Sequence, residues 1–220
     1  MAFFDIFPTF EEAPYSYIIV PIMLVSSIIG FYYKPYFHAL LLHPYEVYRG
    51  KRWHTLLTSA FVHRNWLHLL NNILIVYGLG FDMFGNIEQE FGTVTAYIKT
   101  PILCSIIIVV PNILQTLSKK NDFTFTAVGA SGLSFGLYGF SALFFPIEPI
   151  ENFIFPFVKN MVDNWIIGTI ILFLLATVKK NKLINLRLHV VSYLFGSILA
   201  LIIRTQSMKE IYHIFNNLPQ

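Results

Sequence analysis

The 220-residue sequence predicts an all-α membrane protein, a bundle of six transmembrane helices with one long interfacial loop between the first and second. Three observations predict it. The chain is 55% hydrophobic, 17% aromatic and only 12% charged, with a mean hydropathy of +0.61. Soluble domains carry about 25% charged residues and need them to cover a water-facing surface. The charged residues also fall in short groups, and the intervals between them approach membrane-crossing length. Finally, the stretch after the first interval is crowded with Tyr, His and Trp, whose rings with a polar tip settle at the headgroup level. These features exclude a soluble globular enzyme. They also exclude a disordered chain, which needs low hydrophobicity and high charge.

Each element follows from the charge pattern. The first span is expected over 14–33, between Glu12 and Lys34. No Lys or Arg precedes Lys34, so the basic start of a secretory signal is missing and the run is expected to be retained as a span. The loop 34–64 holds Tyr36, His38, His43, Tyr45, Tyr48, Trp53, His54 and His63, and reads as a structured interfacial segment. Further spans are expected over 65–82, 93–117, 127–147, 163–178 and 187–204. The last two are short against the usual ~17–25 residues, but flanking Lys and Arg can snorkel. No internal repeat divides the chain, so 1–220 reads as one domain.

Charge and cysteine usage narrow the function. Net charge is +3 without a contiguous basic face, so no nucleic-acid partner is expected. Cys104 is the sole cysteine, which leaves no internal disulfide and no thiolate cage. There is no HExxH, and the loop histidines lack paired ligand spacing, so neither metal nor other cofactor is expected. Pro21, Pro101 and Pro111 can kink the first and third spans, but no polar residues gather near them. A small transporter would want a polar midplane site at broken helices.

The polar residues inside spans need a reason, because they are expensive there. His68 and Asn72 are four apart and share one face of the second span. Ser131 opens the fourth span and His189 the sixth. Spans two, four and six start on the same membrane side, so His68, Ser131 and His189 lie at similar shallow depth, with Asn72 one turn deeper. Gly132, Gly136 and Gly139 make one small-residue stripe; Ser192, Gly196 and Ala200 make another, headed by His189. Such stripes let two helices approach closely, which would bring Ser131 and His189 together. No Asp or Glu lies inside the charge-free intervals, which for the second and fifth spans are 65–81 and 164–178, so an aspartyl dyad is excluded. Gly129-Ala130-Ser131-Gly132 is not the G-x-S-x-G elbow of soluble hydrolases. The residues leave two readings open: a serine–histidine dyad, or polar groups that only bond neighbouring helices.

On these residues the chain resembles the rhomboid family of intramembrane serine proteases. The GxSG-type stretch 129–132, His68-x-x-x-Asn72 preceded by His63, and His189 on the last span match in order and spacing. The resemblance implies a Ser131 nucleophile and a His189 base, with His68, Asn72 and the Ser131 amide stabilising the oxyanion. It implies supporting roles for Gly129, Gly132, Phe135 and His63, and a structural one for Glu88. It further implies transmembrane protein substrates cleaved within the lipid bilayer, at helix ends rich in Gly, Pro or small residues. The chain departs from the family at His54 after Trp53, at Phe135 in place of Tyr, and at Leu188 and Ser192, which are bulkier than usual and predict a looser approach of spans four and six.

Orientation is a conflict within the sequence. Eleven of the fifteen Lys and Arg lie in the odd-numbered loops, which the positive-inside rule would place in the cytoplasm. The resemblance implies the reverse, with a cytoplasmic N-terminus and an outward-opening site. Without the interfacial loop the bias falls to six against four. The lack of a transit peptide points to a multi-pass protein of a bacterial plasma membrane. A second function from another class is a catalytically inactive rhomboid-like protein that binds membrane clients.

Overall fold

A computed structural model describes residues 8–150, 157–178 and 186–216. Among them all helices and strands reduce to helices plus two isolated bridges. In chain order they are α1 (Pro14–Tyr32), α2 (Lys34–Leu40), α3 (Pro44–Tyr48), α4 (Thr55–Thr58) with a 3-10 turn at Ser59–Phe61, α5 (Trp66–Phe91), α6 (Thr93–Lys119), α7 (Ser131–Phe144), α8 (Met161–Val178), α9 (Leu186–Ile203) and α10 (Gln206–Asn216). Four of these, α1, α5, α6 and α9, are long and apolar enough to cross a membrane, and α8 is a shorter apolar helix. The chain is an all-α membrane bundle. The basic cluster at 179–182, counted above for orientation, lies outside the described residues.

Local chemistry sets the ends. Proline occupies the first turn of α1, α2 and α3, where its missing N–H costs nothing. Asn65 caps α5, its side chain accepting from the His68 N–H at 2.9 Å. Gly92, at φ +81, separates α5 from α6. The second span therefore runs past 82 to Phe91: Asp82 does not end the helix, and Glu88 lies within it, accepting from the Thr93 hydroxyl at 2.7 Å. A carboxylate ends an apolar run but has no power to break helical hydrogen bonding.

The fourth helix differs in the opposite sense, covering 131–144 rather than 127–147. Backbone bonding explains the late start. Ala127 and Leu42 exchange two N–H to C=O bonds at 3.0 Å, the Gly129 N–H donates to the Ser59 carbonyl at 2.8 Å, and the Ala130 N–H donates to the His63 ring at 3.2 Å. The Ala127 carbonyl is thus spent on Leu42 instead of an amide four residues on, and Gly129, at φ +105, lies outside helical geometry, so the helix begins only after them. At ~21 Å, α7 is too short for a ~30 Å hydrocarbon core. It packs on α5, α6, α8 and α9, so protein rather than lipid meets its ends.

The loop 34–64 is folded onto the bundle. Arg52 holds it: its guanidinium donates to the carbonyls of His38 and Leu41 and to Glu46. Arg52 is also the one non-glycine among the described residues with positive φ, at +55. Arg49 donates to the carbonyls of Tyr45 and Lys120. The guanidinium that fixes the loop thus comes from the residue before Trp53, not after it.

The expectation of a loose approach between spans four and six is corrected. At Gly136 and Gly196 the helices α7 and α9 touch backbone to backbone: a Cβ on Gly196 would overlap the Gly136 carbonyl, and one on Gly139 the Tyr193 carbonyl. Leu188 and Ser192 fit because both lie beside Gly132: where its Cβ would be, Leu188 is at ordinary contact distance and Ser192 Oγ, at 3.3 Å, is closer than that.

Candidate active site

At the start of α7 the chain makes the turn that presents Ser131. Gly129 is required there twice over. Its φ of +105 disfavours any side chain, and a Cβ would overlap the His68 ring. His63 braces the same turn from behind. The Ala130 amide can only donate, so His63 Nε2 accepts; the proton therefore sits on Nδ1 and is donated to Ser27 Oγ at 2.8 Å. Ser27 in turn donates to the Phe61 carbonyl. Burial pushes the His63 pKa down to about 3, and the ring stays neutral.

A cavity of about 590 Å³ opens where these elements meet. Ser131, His68, His189, Gly129 and Phe135 all line it, so three helices deliver their polar residues to one space. The His189 ring stacks on Phe135, with centroids 4.4 Å apart and planes 25° from parallel. The His68 ring sits edge-on to His63 at 5.1 Å. The first amides of α7 have no intrahelical acceptor and carry the positive end of the helix dipole. Among the described residues no hydrogen bond joins Ser131 Oγ to His189; such bonds often tighten only when substrate arrives.

Three predicted residues stand behind the cavity instead of lining it. Asn72 is buried, its side-chain oxygen accepting from Ser134 Oγ at 3.3 Å, while its amide nitrogen has no partner among the described residues. Gly132 faces α9, and His63 faces Ser27 and Ala130.

Other lining residues escaped the sequence reading. Asn112, next to Pro111, donates to the Leu56 carbonyl at 2.8 Å and lines the cavity. A polar residue does therefore sit beside a helix-interior proline, contrary to expectation. Its signal was present, as an Asn in an apolar run. Ser59 lines the cavity too, but nothing in its sequence setting marked it. On the bundle's flank an apolar groove of about 520 Å³ runs between α5 and α7, lined by Leu74, Gly78, Phe81, Asp82, Ser134 and Tyr138 among others. Phe135 lines both spaces, which places the groove beside the cavity.

A family model, the Rhomboid domain, matches residues 50–206. No curated protein matches the chain.

Proposed function

The chain belongs to the rhomboid family, and on that premise we propose that it is an active intramembrane serine endopeptidase of six spans, all within one domain. The observation that carries the reading is the convergence of Ser131, His68 and His189, from three separate helices, on a single cavity. In the mechanism, neutral His189 takes the Ser131 proton as Oγ attacks the scissile carbonyl. The tetrahedral oxyanion forms against the Ser131 amide and the His68 ring; Asn72, expected as a third donor, stands behind the cavity and reaches the oxyanion only if substrate binding opens the cavity to it. His189 then protonates the leaving amine. Water enters through the same cavity, gives a proton to His189 as it attacks the acyl carbonyl, and His189 passes that proton to the departing Ser131 Oγ, restoring the neutral pair. No carboxylate orients the imidazole; stacking on Phe135 takes that part.

Substrates are transmembrane segments that enter from the lipid through the groove between α5 and α7. They must unwind near the site, because paired helical amides are closed to Ser131. The protein sits in a bacterial plasma membrane with its N-terminus in the cytoplasm. Arg49 and Arg52 bind backbone carbonyls of their own loop, which supports leaving that loop out of the orientation count.

A fluorophosphonate probe on purified protein, read by intact mass, tests the reading. Wild type should be labelled once, on Ser131, and Ser131→Ala and His189→Ala should not. Removing the His68 ring as His68→Ala should slow cleavage by about 10²–10³. An unlabelled wild type that is folded would mean a non-catalytic binder of membrane clients.

A further inference from the structure

The groove between α5 and α7 adjoins two cavities. It shares Phe135 with the candidate site, and it shares Asp82 with a second cavity of about 380 Å³, lined also by Asn86, Gln89, Ser141 and Glu148. Neither carboxylate there has an ion pair or a side-chain hydrogen bond among the described residues, and Glu148 bears on Asp82 as a like charge. Ser141 is 1% exposed and lines the same cavity, yet its Oγ has no partner among the described residues. A buried polar group left so is costly; Asp82 is half-buried and Glu148 exposed. All of these oxygens accept hydrogen bonds, so the group that would complete the cavity is a cation bearing several N–H donors. Among the described residues no Lys or Arg lines the cavity, and residues 151–156 contain none. Among the described residues no cluster of three or more His, Cys, Asp or Glu is placed to hold a metal ion.

We propose that this cavity receives a Lys or Arg side chain of the transmembrane substrate and so selects substrates by a basic residue on the flank remote from the cut. The inference rests on the protease reading above and names its substrate class more narrowly. On α7, Ser131 lines the candidate site and Ser141 the second cavity, ten residues apart, about 15 Å along a helix. A helical substrate lying in the groove therefore presents its basic residue about ten residues from the scissile bond. Membrane helices carry Lys and Arg at their cytoplasmic ends, the end at which the proposed orientation puts Asp82 and Glu148. Arg, with five donors in a planar fork, fits two carboxylates and a hydroxyl best.

The test uses the full chain in phosphatidylcholine vesicles and one cleavable transmembrane peptide made with Arg, Gln or Glu at that flank. Wild type should prefer the Arg peptide to the Gln peptide by roughly tenfold in kcat/KM, about 1.4 kcal/mol, and reject the Glu peptide further. Asp82→Asn and Glu148→Gln should each shrink the preference to within about threefold while Ser131 still takes the fluorophosphonate label. Binding of the uncleaved peptides to Ser131→Ala should show the same order, which keeps the result independent of turnover. Equal handling of Arg and Gln peptides by a labelled, active wild type overturns this inference and leaves the protease reading standing. Absence of both labelling and cleavage overturns the protease reading and this inference with it. If phosphatidylethanolamine in the vesicles erases the preference, a lipid ammonium is the occupant and the inference also falls.

Discussion

His63 takes no part in the proposed proton transfers, yet its protonation state decides whether the turn before Ser131 holds. Only the neutral ring, with its proton on Nδ1, can accept from the Ala130 amide. The folded value near 3 lies below the unfolded value of about 6.5. Between those limits the unfolded chain binds the extra proton, so the His63 contribution is fully present above about pH 6.5 and is lost as pH falls towards 3. The slope reaches about 1.4 kcal/mol per pH unit. Acidification from pH 7 to 5 should therefore cost about 2 kcal/mol through this ring. Urea unfolding in detergent checks it: His63→Gln keeps an acceptor without the titration, and its stability should fall less over that range than that of wild type. Parallel losses in the two proteins would refute the assigned tautomer.

At the scale of elements, the pairing of α7 with α9 is the contact on which the site depends. Gly196→Ala would drive a methyl group into the Gly136 carbonyl. Overpacking of this kind costs about 1–3 kcal/mol, and because backbone cannot rotate away the upper end should apply. His189, seven residues earlier on α9, would shift with the helix, so fluorophosphonate labelling of Ser131 should drop together with the melting temperature. Gly85 is the control: nothing lies within 4 Å of its Cβ position, and Gly85→Ala should stabilise α5 by about 0.5–1 kcal/mol. The stripes that make this pairing were legible in the sequence, as were the facing of His68 with Asn72 and the general placement of the helices. The start of α7 was not. Hydropathy cannot tell that the Ala127 carbonyl is bonded to Leu42 or that Gly129 takes a positive φ. Ser27, Ser59 and Arg52 were illegible for a related reason: each holds backbone that is distant in sequence, and no local period records such a partner. Asn112 carried a visible mark, an Asn within an apolar run, and its role was missed because its acceptor lies in the loop.

Across the whole molecule, Arg204 closes the end of the bundle remote from the candidate site. Only a tenth of its side chain is exposed, and it pairs with Glu90 of α5 at 2.8 Å and Glu210 of α10 at 2.7 Å while donating to the Phe144 carbonyl at the end of α7. The two carboxylates hold its guanidinium charged, with its pKa raised by the Glu210 bond above all. Arg204→Gln leaves two partly buried carboxylates without their cation, while the Phe144 carbonyl keeps the Ser207 hydroxyl. It should destabilise the fold by about 3 kcal/mol, read as a lower urea midpoint, with lesser effect on Ser131 labelling in the protein that remains folded. The order of the helices along the chain has a consequence for biosynthesis. Ser131 lies on α7 and His189 on α9, and at ~5–20 residues per second the ribosome makes them some seconds apart. A chain still in the insertion machinery holds the proposed nucleophile without its base. It is surrounded by other newly made membrane helices at that moment, and it is inert towards them until its own last span has entered the bilayer and docked.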